Sequence, residues 1–360
     1  MDRKPKILYI VKHFSAGIFT YLVQLSSRLI DEFDIVIGYS VTPDTPADFR
    51  SYFDSRVELI RIVNFENELN VFSESAVRNE MKQLVNTYKP DIIHLHGYNA
   101  GRIGRKALDG MGIPMFYTPH GYLYLAEDHN LLTRSVSRSN ERSAALADCT
   151  TIACSKGEFA ETLAFTQRAV YINNGIDIKA LDEIVKDEKP AEHPLTVFTT
   201  GLINYQKRPE LFNEIAMAMP DVRFVWIGNG GQRYKLTAPN VEVTGWLTHD
   251  EAIKRVFQSD VFILTSLWEG LPISLLEAMY LGKLSIVSNV IGNRDVITNG
   301  ENGYVCDTAA AFVNAINQYK FNDLSTIIEN AHNDIVDNYT LDQMVERYAD
   351  VYRKAVADRK

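Results

Sequence analysis

Glu269 and Glu277 are two carboxylates separated by seven residues, in a stretch whose residue types suit anion binding. The stretch, Thr265-Ser-Leu-Trp-Glu-Gly-Leu-Pro-Ile-Ser-Leu-Leu-Glu-Ala278, follows the apolar run Asp260-Val-Phe-Ile-Leu264. That run has the length and branching of a buried parallel strand. The chain then passes Gly270 and Pro272 and enters a helical pattern (Leu275, Leu276, Ala278, Met279, Leu281) that Gly282 can close. A strand, a short loop and a helix start point free backbone N–H groups and the positive helix end at an anion. Glu269 falls in the loop and Glu277 in the first turns of the helix, where they can accept hydrogen bonds from hydroxyls on either side of a bound phosphate. Ser274-x-x-Glu277 is also a capping box, which gives Glu277 a structural alternative. Glu269 precedes Gly-Leu-Pro and caps nothing.

Other candidates stand at the ends of apolar runs. Lys207 and Arg208 follow Thr200-Gly201-Leu202 and precede a helical pattern, a placement that neutralises a diphosphate held at a helix terminus. Gly17 opens a helix after His13-Phe14-Ser15-Ala16, a tight turn in its plainest reading. His94 and His96 end a strand and are expected on opposite sides of it, His94 packed and His96 projecting at the loop. His120 ends another strand beside Gly121, where an imidazole can reach a ligand. Trp246 and Leu247 close the run Val241-Glu-Val-Thr-Gly245-Trp-Leu247, and Trp246 is alternatively a core residue. Arg134, Arg138 and Arg142 recur every four residues on one helix face, with Glu141 expected to pair locally. A lipid-phosphate patch, extended by Arg102, Arg105 and Lys106, is the alternative for that face.

The elements that must position these residues alternate. Strands are expected at Lys6–Val11, 34–39, 57–63, 91–95, 114–118, 150–153 and 169–172, with helices at 17–29, 74–88, 100–109, 130–147 and 156–163. The second half repeats the alternation, with strands at 195–199, 222–227, 260–264, 284–288 and 304–306. Strands separated by helices imply right-handed crossovers and open parallel sheets, whose ligands gather at the carboxyl ends of the strands. The polar run Lys186–Pro194 reads as a linker. The expected organisation is two doubly wound α/β domains, 1–185 and 186–340, followed by a terminal helical stripe over 341–360 (Leu341, Met344, Val345, Tyr348, Val351, Tyr352).

The order of these motifs resembles glycosyltransferase family four: His120-Gly121, Asn174-Gly-Ile-Asp177, Lys207-Arg208, then Glu269-x7-Glu277 followed by Ala278. Leu202 departs from the family, which usually has Arg there, and Ala16 stands where a second glycine is common. The resemblance implies a GT-B fold, with two Rossmann-like domains, a cleft between them and the last helix crossing back to the first. It also implies a retaining transferase using a nucleotide-diphosphate sugar, with UDP the expected nucleotide. The implied catalytic residues are His120, Glu269 and Lys207. The implied nucleotide and diphosphate contacts are Gly17, Lys207, Arg208, the amides of Gly270, Leu271, Ile273 and Ser274, and Glu277 at the ribose. Gly228-Asn-Gly-Gly231 corresponds to a turn beneath the nucleotide, and Trp246 and Leu247 to the base side. His96, Arg134 and Arg138 are candidates for the acceptor or lipid side. The implied acceptor is a glycan or a polyprenyl-diphosphate-linked sugar, in bacterial capsule, exopolysaccharide or lipopolysaccharide assembly at the cytoplasmic face of an anionic inner membrane. Two alternatives share the fold: a non-catalytic partner subunit, and a UDP-sugar epimerase.

Bulk properties narrow the classes. A chain of 360 residues, 46% hydrophobic and 23% charged, holds two ordinary domains. No apolar run approaches the ~20 residues that span a bilayer, and the N-terminus does not read as a secretory signal. Cys149, Cys154 and Cys306 are too scattered for a disulfide framework or a zinc site. The expectation is therefore a cytoplasmic protein, with no cofactor and, lacking an Asp-x-Asp, no metal. A net charge of −9 argues against nucleic-acid binding. Residues 1–170 carry 19 basic and 20 acidic side chains, so the acidity lies in the second half.

Overall fold

The computed structural model describes residues 3–67, 71–126, 130–189 and 192–359. The chain forms two compact units, divided between Asn173 and Asn174 and again between Leu341 and Asp342.

In the first unit the elements run β1 (Lys6–Val11), α1 (Ala16–Leu29), β2 (Asp34–Tyr39), β3 (Glu58–Arg61), α2 (Val71–Tyr88), β4 (Ile92–His96), α3 (Gly97–Leu108), β5 (Met115–Thr118), α4 (Leu131–Ala144), β6 (Thr150–Ala153), α5 (Lys156–Thr162) and β7 (Ala169–Tyr171). The strands pair in the order β3-β2-β1-β4-β5-β6-β7, every pair parallel. Central strands are buried on both faces, as Ile7 through Val11 show. One core face packs Leu8, Ile10, Ile93 and Leu95 against Met81, Ile103 and Leu108.

The second unit runs α6 (Ile178–Val185), β8 (Thr196–Thr200), α7 (Pro209–Ala218), β9 (Arg223–Ile227), β10 (Val241–Val243), α8 (His249–Phe257), β11 (Val261–Leu264), α9 (Ile273–Tyr280), β12 (Leu284–Ser288), β13 (Tyr304–Cys306), α10 (Ala309–Phe321) and α11 (Ser325–Asn338). Its strands pair in the order β10-β9-β8-β11-β12-β13, again all parallel. Val197, Phe212, Trp226, Ile263 and Phe312 lie in its core.

The division falls earlier than residue 185 because α6 packs on α8 and the Tyr280 hydroxyl donates to Asp182 at 2.8 Å. Within the linker run Lys186–Pro194, residues 190 and 191 lie outside the described residues. The terminal helix α12 (Leu341–Arg359) joins the first unit, where its Tyr348 and Tyr352 are fully buried.

Candidate active site

In the second unit the strand order reverses between β8 and β11, and ligands of open parallel sheets bind outside the carboxyl ends at such a point. The loop leaving β8 is seated by glycines. Gly228 has φ +144, and a Cβ there would lie 2.2 Å from the Gly201 carbonyl oxygen; one on Gly230 would lie 2.4 Å from that of Ile203. Trp226 Nε1 donates to Gly201 O at 2.9 Å, and Ile203 N donates to Asn229 O at 2.8 Å. The Gly228–Gly231 turn is thus the floor on which the 201–203 loop rests.

That loop ends at Arg208, held at φ 50 as the N-cap of α7 with Pro209 next. A non-glycine residue there is strained, and such strain concentrates at functional sites. The Arg208 guanidinium makes no hydrogen bond to a described residue. Lys207 Nζ lies 2.7 Å from Glu269 Oε1, to which Ser266 Oγ also donates at 2.6 Å. Two cross-ties lock the loops together: Thr265 Oγ1 donates to Lys207 O at 2.7 Å, and Gln206 Nε2 to Trp268 O at 2.9 Å. Lys207, placed by its sequence at the diphosphate, is also the partner of Glu269.

Beyond Glu269, the backbone N–H groups of Gly270, Leu271, Ile273 and Ser274 donate to no described residue. Four free donors at the start of α9 make an anion cradle. Its backbone is fixed from outside: Asn174 Nδ2 donates to Leu271 O at 2.7 Å, and a Cβ on Gly292 would lie 2.3 Å from Gly270 O. Downstream, Gly282 (φ +69) closes α9, with Lys283 N on Ala278 O at 2.9 Å and Gly282 N on Met279 O at 3.1 Å, a Schellman motif.

The capping-box alternative for Glu277 fails. Pro272 occupies the N-cap, so Ser274 already lies inside the helix and caps nothing. Glu277, 9% exposed, instead accepts from His249 Nε2 at 2.8 Å. Burial pulls the His249 imidazole down, but the carboxylates of Glu277 and Asp250 outweigh it and hold the pKa above the usual value. Sequence reasoning missed His249; the signal was Thr248-x-x-Glu251, a capping box that fixes the helix start on which it stands. Trp246 is 59% exposed, which overturns its core alternative, and it leads with half-buried Leu247 into that same helix.

The first unit reverses its strand order between β1 and β4. His94 and His96 are two residues apart and so share one face of β4, not opposite faces; their ring centroids are 4.1 Å apart. His96 does not project at the loop, being 1% exposed. Its Nδ1 lies 3.0 Å from Nε2 of half-buried His120. His120 has φ 56, and the next residue, Gly121, donates its N–H to Glu158 Oε1 at 2.6 Å. Glu158, fully buried, also accepts from Cys154 N at 2.7 Å, so it ties the His120 turn to β6. Burial pushes His94 and His96 well below the ordinary imidazole value and His120 down to about 3. At the β1 loop the left-handed residue is Ala16 (φ 48), while Gly17 has no such φ and open space around it.

The arginine patch is smaller than expected. Glu141 does not pair along its helix; it is buried and binds Arg105 at 2.6 Å and the Tyr117 hydroxyl at 3.1 Å. Arg102 pairs with Glu74 at 2.5 Å, and Arg134 Nε donates to Tyr124 O at 3.0 Å. Arg138 remains exposed, its guanidinium 5.8 Å from the Tyr124 ring centroid.

Two doubly wound units, one carrying an anion cradle at its strand reversal, define the GT-B class of glycosyltransferases. Residues 15–180 match the model described as Glycosyltransferase Family 4, and residues 181–334 that described as Glycosyl transferases group 1. The chain belongs to glycosyltransferase family four. It is 29% identical over 340 residues to the UDP-Gal:alpha-D-GlcNAc-diphosphoundecaprenol alpha-1,3-galactosyltransferase of Escherichia coli, covering 86% of this chain and 87% of that one. Its fold matches a sucrose-phosphate synthase from Thermosynechococcus elongatus (TM-score 0.83, 18% identity, 98% and 100% of the two chains). It also matches Anabaena HepE in complex with UDP and glucose (TM-score 0.78, 17% identity, 97% and 100%). The chain is a glycosyltransferase that uses a nucleotide sugar. No described helix is long and apolar enough to cross a membrane.

Proposed function

We propose that the chain is a retaining, UDP-sugar-dependent transferase that delivers its sugar to a polyprenyl-diphosphate-linked glycan. The observation that carries this reading is the cradle of four free amides beside the Lys207–Glu269 pair, with Arg208 next in the chain. Such a preorganised positive site stabilises charge as it grows on a departing diphosphate, so the reading assigns that work to these groups and not to a metal. Glu277, held by His249, takes the ribose hydroxyls, and Glu269 orients the transferred sugar; His120 is assigned to a sugar hydroxyl. No side chain is assigned as nucleophile. The acceptor hydroxyl attacks from the face the diphosphate leaves, the glycosidic bond to the donor breaks, and a leaving phosphate oxygen takes the acceptor proton. The lipid-linked acceptor is supported by the name of the E. coli relative and by α4, where Leu131 is 79% and Leu132 74% exposed, close in sequence to Arg138 and Arg142. An apolar edge with cationic neighbours suits the surface of an anionic bilayer.

The nucleotide is tested by thermal stabilisation with UDP, GDP and ADP, on wild type and Glu277→Gln. At 100 times its Kd, UDP should add about 2.7 kcal/mol, and the variant should lose most of it. No stabilisation by any nucleotide would favour a non-catalytic partner subunit; a changed donor sugar without acceptor would favour an epimerase. Leu132→Asp with Arg138→Glu should abolish co-sedimentation with anionic liposomes, and unchanged sedimentation would remove the membrane contact.

A further inference from the structure

We propose that His96 is a positioning residue that holds His120 in the tautomer with its proton on Nδ1, making His120 a fixed, neutral hydrogen-bond donor.

The two imidazoles meet through His96 Nδ1 and His120 Nε2, 3.0 Å apart. Both rings are neutral under their burial, so one proton lies between these nitrogens and the arrangement has two forms. In one, His96 Nδ1–H donates to His120; in the other, His120 Nε2–H donates to His96. The choice is made at the far side of the His96 ring, whose Nε2 is buried and has no hydrogen-bond partner among the described residues. If His120 were the donor, His96 would carry its proton on Nε2, an N–H group buried without an acceptor. Orphaned buried N–H groups are the rarer defect; under-satisfied acceptors are tolerated better. His96 therefore carries its proton on Nδ1 and donates. His120 Nε2 accepts, and His120's own proton must sit on Nδ1. The hydrogen bond made by one ring nitrogen sets the state of the other.

The surroundings make this a lock. The His96 ring lies among Tyr9, Tyr21 and His94, with centroids 5.4, 5.6 and 4.1 Å away, so it is braced against turning over. His94 offers it no alternative partner: its Nδ1 is 2.6 Å from the Tyr352 hydroxyl and its Nε2 is 2.9 Å from Thr118 Oγ1. A neutral histidine side chain in water favours the proton on Nε2, so the Nδ1–H form is imposed by the fold. His120 Nδ1 bonds to no described residue, and the left-handed turn anchored by Glu158 fixes its direction. A neutral donor of this kind suits a sugar hydroxyl. The catalytic consequence rests on the transferase reading; the tautomer itself does not.

Long-range proton–nitrogen correlation of the histidine rings in nitrogen-15-labelled protein, without ligand, reads the tautomer directly. The expected spectrum shows His120 protonated on Nδ1 and bare on Nε2, and His96 protonated on Nδ1. A His120 ring protonated on Nε2, or on both nitrogens at neutral pH, overturns the proposal. His96→Asn keeps an amide donor near the place of Nδ1 and should preserve both the His120 tautomer and most of kcat. His96→Leu should release His120 to the Nε2–H form and lower kcat on the order of tenfold, the worth of one lost hydrogen bond, with KM for the donor little changed. Equal losses in the two variants would reduce His96 to packing. Absence of any nucleotide binding, with the expected tautomer present, would overturn the transferase reading alone.

Discussion

Each unit places a close cation–carboxylate pair near its sheet, and the two pairs sit in opposite settings. In the first, Arg105 and Glu141 are each 2% exposed at the side chain, and Tyr117, whose ring stacks 4.0 Å from the guanidinium, closes them off. In the second, Lys207 is 16% and Glu269 8% exposed, at the strand reversal and beside free amides. A pair sealed in the core can only support the fold, while a pair at the mouth of a strand layer can exchange partners with a ligand. The site histidines divide likewise: His94, His96 and His120, with lowered pKa values, in the first unit, and His249 with its carboxylate in the second. Hydroxyl recognition asks for neutral donors and diphosphate recognition for charge, and under the proposed function the first unit offers the former and the second the latter.

The largest effect should come from breaking the sealed pair. Glu141→Gln leaves Arg105 buried without its counter-charge, and we expect a loss of about 3–5 kcal/mol, read as a lower urea midpoint, with UDP affinity unchanged in the protein that remains folded. Lys207→Ala should do the reverse: kcat down on the order of 10²–10³-fold and a much smaller change in stability. If the Glu141 variant keeps its midpoint, or the Lys207 variant loses more stability than activity, the division between structural and functional pairs collapses.

Much of this was legible in the sequence because strand ends announce themselves. The buried strands are continuous apolar runs, and the residues following them, Lys207, Arg208, Glu269 and His120, are where a doubly wound sheet puts its chemistry. The less legible facts concern which polar groups meet across distant segments. The link from Glu277 to His249 spans 28 positions and that from Gly121 to Glu158 spans 37; neither belongs to a local pattern. Glu141 looked like a surface partner because an i, i+4 charge pattern does not say which side of the helix is covered. Backbone strain was invisible too. Among the described residues four non-glycines have positive φ. Lys89 ends α2, while Ala16, His120 and Arg208 each follow a strand at a candidate site.

The histidine contrast predicts opposite responses to acid. His94, His96 and His120 have lowered pKa values in the fold, so the unfolded chain takes up their protons first. Below about pH 6.5 each should cost about 1.4 kcal/mol of stability per pH unit until its own folded value is reached. His249 has a raised value, so its contribution is complete below about pH 6.5 and fades as pH rises through that value. Urea midpoints at pH 7.5 and 5.5 should therefore fall with acid in wild type and fall less in His120→Asn. An identical fall in that variant would mean that His120 takes up its proton in the fold as readily as in the unfolded chain.

The smallest effect separates orientation from charge at Glu277. His249→Gln places an amide N–H near the position of the imidazole Nε2–H and can still hold the carboxylate, whereas His249→Leu cannot. Calorimetric titration at pH 7 should show UDP affinity nearly unchanged in the first and weakened about fivefold in the second, the worth of about 1 kcal/mol of lost hydrogen bonding. Equal weakening in both would show that the imidazolium charge, and not the direction of the hydrogen bond, prepares Glu277. The second unit would then rely on electrostatics throughout, and its contrast with the neutral imidazoles of the first would be sharper still.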